Sequence, residues 1–403
     1  MDLKNKIDEL YNPDKKARNE KVLIGLSGLD SLVTAYLLKI QKYDLVAVTI
    51  ANLWEEIGSH QEKAFSCHFS QSKLDTLKSF CNALGIQHIV EKVSGEFEEN
   101  VVAPWIADRL VGKRHKACWN CHDLRIKHLH RKMKEVGARY LATGHFAKIF
   151  HHETHGTVFV HSGNDLESDQ SSLLSRLPHD ILSDLLLPLS DLSKKEVLKL
   201  ADNFGLNSVD DSVSSNTCFK WNPELETFFR KKVPEHFLEE GDILSWDEDS
   251  NYGKHKGILN IDLGQGLHVR DGLTAMDKVI GTYAFYDKKV RLTDERFFNR
   301  NKHMLVSCCY PEEVIMVEPF RGFIHVTSTE KWIDCWVHPK SLLSVSIELS
   351  ESVKLITGEV VTVYKKMGKN SKVLVTGEIQ LLTQSYSEEG EESVSEINHL
   401  LDF

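Results

Sequence analysis

Three cysteines lie in polar sequence, where a thiol can react as well as pack. Cys118 and Cys121 form a Cys-x-x-Cys pair, and Cys218 lies in a separate polar stretch further along the chain. The pair is flanked by basic residues, namely Arg114, Lys116 and Arg125. Cationic neighbours stabilise the thiolate, which is the nucleophilic form of cysteine. The spacing also fits half of a zinc site or a redox pair, and a lone cysteine such as Cys218 is more often an inert core residue.

A Gly/Ser turn at residues 27–31 (SGLDS) has the composition of a phosphate-binding loop. It follows a predicted buried strand and precedes a predicted helix, whose N-terminus and free backbone N–H groups attract phosphate. Ser27 and Ser31 can add hydroxyl donors, and Asp30 can hold a metal ion bound to the phosphates. The lysine of a Walker loop is absent, so an ordinary turn of an α/β protein is the alternative interpretation.

A basic segment stands out in a chain whose formal net charge is −10. Between residues 109 and 134 there is one acid, Asp123, against nine basic residues: Arg109, Lys113, Arg114, Lys116, Arg125, Lys127, Arg131, Lys132 and Lys134. Such a segment predicts a contact with a polyanion. A solvated helix face with counter-ions is the alternative.

The elements that must position these residues alternate along the first half of the chain. Apolar periodicity predicts strands at 22–26, 45–50, 86–90 and 139–142 and helices at 70–84, 97–110 and 119–136. Two more helical stretches are predicted near 168–186 and 193–204. After about residue 240 the pattern becomes β-rich, as at 344–349 and 360–364. The alternation predicts an α/β protein whose parallel sheet has helical crossovers.

Composition limits the class of protein. Eight cysteines in 403 residues are too sparse for a disulfide scaffold. No apolar run approaches the roughly 20 residues that a membrane-spanning helix needs, and the charged N-terminus lacks the apolar core of a signal peptide. The sequence therefore predicts a cytoplasmic protein that has no membrane partner.

Taken together, these segments make the chain resemble the MnmA/TrmU family of tRNA 2-thiouridylases over nearly its whole length. The matching stretches include VLIGLSGLDSLVTAYLLK, EFEENVVAPWIADRLVGKRHKACWNCHDLRIK, YLATGHFAKI, SDQSSLLSRL, LLLPLSDLSKKEVLKLADNFGL and SNTCF. The resemblance implies a PP-loop ATP-pyrophosphatase domain at 1–220, a small central domain at 221–282 and a C-terminal β-barrel at 283–384. An acidic tail at 385–403 would follow.

The resemblance also implies roles for single residues. Its ATP site corresponds to Gly25, Leu26, Ser27, Gly28, Leu29, Asp30, Ser31, Ile50 and Gly144. Its tRNA contacts correspond to Lys113, Arg114, Lys116, Ala117, Asp169 and Gln170. Cys121 corresponds to the first catalytic cysteine and Cys218 to the cysteine that carries a persulfide. Cys118 would join them as a third thiol of the catalytic group, and these three cysteines could hold an iron–sulfur cluster.

The implied activity is ATP-dependent thiolation of a wobble uridine of tRNA at carbon 2. ATP with Mg²⁺ would adenylate the base, and a sulfur-carrier protein would donate the persulfide sulfur. The loop is one residue shorter than the family's Ser-Gly-Gly-x-Asp-Ser, which keeps a second hypothesis open: a paralogue that binds tRNA, a thiol or a metal without adenylating. A third is a pyrophosphatase that acts on a small molecule.

Overall fold

The computed structural model describes most of the chain, and the structural statements below concern only the residues that it describes. They are residues 20–51, 71–114, 116–152, 156–206, 223–257, 261, 263–264, 278–284, 287–294, 296, 298–311, 317–326 and 331–380. Cys218, the predicted persulfide cysteine, and the predicted acidic tail at 385–403 lie outside the described residues.

A five-stranded parallel sheet forms the N-terminal half, with strand order β3-β2-β1-β4-β7. Its strands are β1 (Lys21–Gly25), β2 (Asp44–Ala51), β3 (Gln87–Lys92), β4 (Tyr140–Ala142) and β7 (Leu185–Leu186). The central strands β1 and β2 are mostly apolar because core clusters cover both faces of the sheet. The four strands predicted from the sequence are confirmed within two residues.

Helices connect these strands. Their bounds are α1 (Leu29–Ile40), α2 (Gln71–Leu84), α3 (Ser94–Phe97), α4 (Ala103–Leu110), α5 (Ala117–Glu135), α6 (Ser171–Leu174), α7 (His179–Ser183) and α8 (Lys194–Asn203). The predicted helix 97–110 is interrupted by a π-helical turn, Glu98–Val102. The predicted helix 168–186 is wrong as a single helix, because Pro178 has an extended backbone that separates α6 from α7.

A two-stranded hairpin lies beside this sheet. It pairs β5 (Ala147–His151) with β6 (Val158–Ser162) in antiparallel register.

A second sheet follows in the middle of the chain. Its order is β10-β11-β8-β9. Helix α9 (Pro223–Lys232) precedes the strands β8 (Gly241–Ser245), β9 (Asn251–His255), β10 (Lys278–Ala284) and β11 (Lys289–Asp294). The domain boundary predicted at 282/283 falls inside β10.

The C-terminal part is a closed six-stranded barrel, in the order β12-β15-β14-β13-β16-β17. The strands are β12 (Asn299–Cys309), β13 (Phe320–Val326), β14 (Lys331–Ser341), β15 (Ser344–Lys354), β16 (Val360–Tyr364) and β17 (Val373–Gln380). Alternate side chains such as Ile333, Cys335 and Val337 fill its interior. The predicted α/β class with a C-terminal β-barrel is therefore confirmed. In the described part of the chain, no helix is long and apolar enough to cross a membrane.

Candidate active site

The loop between β1 and α1 lies at the carboxyl edge of the parallel sheet. The chain leaves β1 toward β2 on one side, and β4 pairs with the other side of β1. A crevice forms in open α/β sheets where the strand order reverses in this way, and ligands bind there. The loop predicted from the sequence to bind ATP therefore lies where the topology favours a ligand.

Internal hydrogen bonds hold this loop in shape. The N–H groups of Ser27 and Gly28 donate to the Ser31 hydroxyl oxygen at 2.9 and 3.1 Å, and that hydroxyl donates to the Gly28 carbonyl at 2.6 Å. Leu26, which is buried, donates its N–H to the Val48 carbonyl at 2.8 Å. Ser31 thus organises the turn from inside, and Ser27 remains exposed.

Leu29, which the resemblance places in the ATP site, lies with its side chain in the core. It is the first residue of α1 and is only 5% exposed, packed in the core cluster between helix and sheet. Its side chain is therefore part of the core. Ile50, at the end of β2, is buried as well.

Gly144 follows β4 and lies against the start of α1. A Cβ built at Gly144 would be 2.8 Å from the Asp30 carbonyl carbon and 2.9 Å from the Ser31 nitrogen. Both atoms belong to the backbone, which cannot move aside as a side chain can. The loops that follow β1 and β4 are therefore in close contact.

We expect Gly144→Ala to weaken ATP binding about tenfold, since the added methyl group must displace the backbone at residues 30–31. Overpacking of this kind also costs about 1–3 kcal/mol of stability. Calorimetric titration with ATP and thermal unfolding would measure the two effects. Gly95→Ala is the matched control, because nothing lies within 4 Å of a Cβ at Gly95. Wild-type affinity in Gly144→Ala would contradict an ATP site at this contact.

Lys194, which the sequence analysis does not predict as a site residue, contacts the nucleotide loop. Lys194 Nζ donates to both carboxylate oxygens of Asp30, at 2.7 and 2.8 Å. A capping box between Ser193 and Glu196 starts α8 at this lysine, and the Lys194 N–H donates to the Asp165 carboxylate at 2.8 Å. The capping box is readable in the sequence. Its approach to Asp30 is not, because the two residues are far apart in the chain.

Cys118 and Cys121 lie in the first turns of α5, which begins at Ala117. Cys121 is 9% exposed and Cys118 is half-buried. The N-terminus of a helix carries partial positive charge and favours a thiolate nearby. Residues i and i+3 share one face of a helix, so both thiols face the same side.

A pair of histidines joins α5, the thiol helix that carries Cys118 and Cys121, to the connection that follows β4. His122, the residue after Cys121, contacts His145, the residue after Gly144, with their Nε2 atoms 3.1 Å apart. Burial, and secondarily the charge of His122, lowers the pKa of His145 to about 3. His145 is therefore neutral near pH 7, and one imidazole donates to the other. Its Nδ1 lies 2.8 Å from the Thr143 hydroxyl.

The predicted basic segment is largely neutralised within the fold. Five of its nine cations form ion pairs with acids from other parts of the sequence: Arg114 with Glu359, Lys116 with Glu378, Arg131 with Glu96, Lys132 with Glu91 and Lys134 with Asp184. Lys113 and Lys127 are exposed, whereas Arg109 and Ala117 are buried. The charge counted along the sequence therefore overstates the charge that this segment offers to a ligand.

Asp169 and Gln170 are bonded to protein groups. The Asp169 carboxylate accepts hydrogen bonds from the Gly163 N–H at 2.7 Å, the Ser171 hydroxyl at 2.6 Å and the Tyr364 hydroxyl at 3.3 Å. Gln170 accepts from the Phe146 N–H at 3.2 Å. Burial raises the pKa of Asp169, although these hydrogen bonds act to lower it. In this structure Asp169 joins the first half of the chain to the barrel strand β16.

The described residues do not contain a metal site of three or more His, Cys, Asp or Glu side chains. Cys118 and Cys121 can supply two thiolates from one helix face, and the third predicted ligand, Cys218, lies outside the described ranges. The arrangement of Cys118 and Cys121 fits part of an iron–sulfur ligand set.

Comparison with known proteins identifies the family. The family described as the tRNA methyl transferase HUP domain matches residues 20–221. The tRNA-specific 2-thiouridylase MnmA 1 of Caldanaerobacter subterraneus subsp. tengcongensis is 32% identical over 250 residues, which are 61% of this chain and 68% of that protein. MnmA of Clostridioides difficile (strain 630) is 32% identical over 63% of this chain and 70% of its own length. MnmA of Staphylococcus aureus (strain JH9) is 25% identical over 86% of this chain and 92% of its own.

The family match spans the parallel sheet, both histidines of the pair and the two thiols of α5, and the Staphylococcus match covers a larger share of the chain. The resemblance read from the sequence is therefore confirmed, and the chain belongs to the MnmA family of tRNA-specific 2-thiouridylases.

Proposed function

We propose that this protein uses ATP to replace the oxygen at carbon 2 of a tRNA uridine with sulfur. The observation that carries the proposal is the contact between His122 and His145. It places the thiol helix next to Gly144, which itself lies against the nucleotide loop. Activation of a base by ATP and attack by a thiol need these two sites side by side.

The chemistry has three steps. The uracil oxygen attacks the α-phosphate of ATP and releases pyrophosphate, which converts a poor leaving group into AMP. The terminal sulfur of a persulfide on Cys218 then attacks carbon 2 and expels AMP. Finally the Cys121 thiolate attacks the Cys218 sulfur, which breaks the S–S bond and leaves the new sulfur on the base. The resulting Cys121–Cys218 disulfide must be reduced by a thiol before the next cycle. The base must leave its stack to reach these cysteines.

The protein groups of the loop suit an ATP substrate. Ser27 is exposed beside the N-terminus of α1, where phosphate is favoured. Asp30 is the carboxylate that would hold Mg²⁺, and Lys194 is the cation that would bind a phosphate in exchange for Asp30. We propose a sulfur-carrier protein as the donor of persulfide sulfur and a cytoplasmic location. We also propose the division into a domain at 1–220, a central domain and a barrel domain, with the central domain extended from residue 282 to Asp294, because β10 and β11 belong to its sheet.

Pyrophosphate release from ATP by purified protein, with and without bulk tRNA, tests the proposal. We expect release that depends on tRNA, since the base is the nucleophile. Release that ignores tRNA would favour a pyrophosphatase acting on a small molecule. Binding of tRNA without release would favour a paralogue that does not adenylate. The comparisons favour neither alternative.

A further inference from the structure

The connection between β16 and β17 is a lysine-rich loop, residues 365–372 (KKMGKNSK), which we call the lysine loop. It contains four lysines and no acid. Lys365, Lys366 and Lys369 are exposed, and in the described part of the chain they have no ion-pair partner. In a protein of net charge −10, this is a local concentration of positive charge.

Hydrogen bonds fix the lysine loop in one conformation. The Lys365 N–H donates to the Lys372 carbonyl at 2.8 Å, and the Ser371 hydroxyl donates to the Lys366 carbonyl at 2.6 Å. The loop is also bonded to β6, because the Ser162 N–H donates to the Ser371 carbonyl and the Ser371 N–H donates to the Ser162 hydroxyl oxygen, both at 2.8 Å. A ligand would therefore meet lysines on an ordered backbone, which lowers the entropy lost on binding.

The β5–β6 hairpin beside the loop adds aromatic groups. Cross-strand pairing sets Lys148 opposite His161 and Phe150 opposite Phe159, so these four side chains share one face. Phe150 is 46% exposed. Lys372 Nζ lies 3.9 Å from the centre of the Phe159 ring, which is a cation–π contact.

Direct contacts join the two parts into one surface. His161 Nδ1 lies 3.2 Å from the Asn370 carbonyl oxygen, and His161 pairs with Lys372 in an isolated antiparallel bridge. Burial lowers the pKa of His161, the contact with the Asn370 carbonyl raises it, and the charges of Lys372, Lys366 and Lys148 lower it. The lysine loop and the hairpin face therefore lie around the same imidazole. Lys148 also bonds Asp191 at 2.5 Å, three residues before Lys194, so this surface begins at the edge of the candidate active site.

We infer that the lysine loop and the face of β5–β6 bind an unpaired segment of RNA. This inference rests on the proposed function and extends it to where the substrate lies. The exposed lysines would contact phosphates, and Phe150 would stack on a base. Cations interleaved with an exposed aromatic ring are the features that bind single-stranded nucleic acid. The surface lies apart from the basic segment of α4 and α5, whose cations are mostly paired within the fold.

The test is tRNA binding as a function of salt. The variant Lys365→Gln, Lys366→Gln, Lys369→Gln should bind more weakly, and the slope of log affinity against log salt should flatten by about 2. The variant Lys199→Gln, Lys231→Gln, Lys256→Gln is the matched control, because it removes the same charge from exposed lysines elsewhere. Phe150→Ala should weaken binding at least about fivefold, and Phe150→Tyr should restore it.

The outcomes of these experiments distinguish a failure of this inference from a failure of the proposed function. If the wild-type protein binds tRNA and both triple variants show the same slope, the lysine loop does not contact RNA. Equal binding by Phe150→Ala and the wild type would remove the stacking contact. A wild-type protein that binds no tRNA would contradict the proposed function itself.

Discussion

Cys218→Ser and Cys121→Ser should each reduce 2-thiouridine in tRNA to background while leaving tRNA binding intact. Serine cannot carry a persulfide, and a serine hydroxyl cannot resolve one by forming a disulfide. The measurement is mass spectrometry of tRNA nucleosides from a strain that lacks its own 2-thiouridylase and is supplied with each variant. Cys309→Ser is the control, because Cys309 is a half-buried barrel thiol whose Sγ lies 3.7 Å from the Ser307 carbonyl oxygen.

Cys118→Ser distinguishes two versions of the thiol site. If Cys118 is an auxiliary thiol, the variant should keep most of its activity. If Cys118 binds an iron–sulfur cluster, the variant should lose activity together with iron and visible absorbance in protein purified without oxygen. Normal thiouridine in Cys218→Ser would contradict the sulfur relay whatever Cys118 does.

Lys194→Ala should lower tRNA-dependent pyrophosphate release by about 10²–10³-fold. Loss of a charged group that stabilises the charge developing in a transition state has effects of this size. The change also leaves the Asp30 carboxylate beside the incoming phosphates without the lysine that bonds it at 2.7 and 2.8 Å. Steady-state assays with saturating tRNA would measure it.

Two further variants serve as controls for Lys194→Ala. Lys195→Ala removes the exposed neighbouring lysine and should behave as wild type. Lys194→Arg keeps a cation and should recover part of the rate. If Lys194→Ala stays within twofold of Lys195→Ala, Lys194 serves only to hold Asp30 in the resting protein.

The sequence predicts those parts of the site whose residues all lie within one short segment. A buried strand, a Gly/Ser turn and an amphipathic helix predict the nucleotide loop, because the periodicities involve residues within a few positions of each other. The sequence likewise predicts a helix at 119–136, with Cys121 in its first turn; the helix begins two residues earlier, at Ala117, and so also includes Cys118.

The other features of the site depend on contacts between segments that are distant in the sequence. Nothing near Asp30 in the sequence indicates Lys194, and nothing near Arg114 or Lys116 indicates Glu359 and Glu378. A count of charges along the chain cannot include these partners, so it overstates the charge that residues 109–134 offer to a ligand; their contact with tRNA stays a prediction. Cys218 stays a prediction, since it lies outside the described residues.

The contacts of Asp169 and its neighbours with the barrel have a consequence for synthesis. Val158, Val160 and Leu174 share a core cluster with Tyr364 and Val373, and the Ser175 hydroxyl bonds that of Thr376 at 2.7 Å. On the ribosome the first half of the chain emerges before these barrel residues exist. Until the last strands are translated, that half exposes apolar surface of the kind that aggregates. A stop codon ahead of Tyr364 would therefore remove more than the barrel: it would leave the nucleotide-binding half without the residues that cover it.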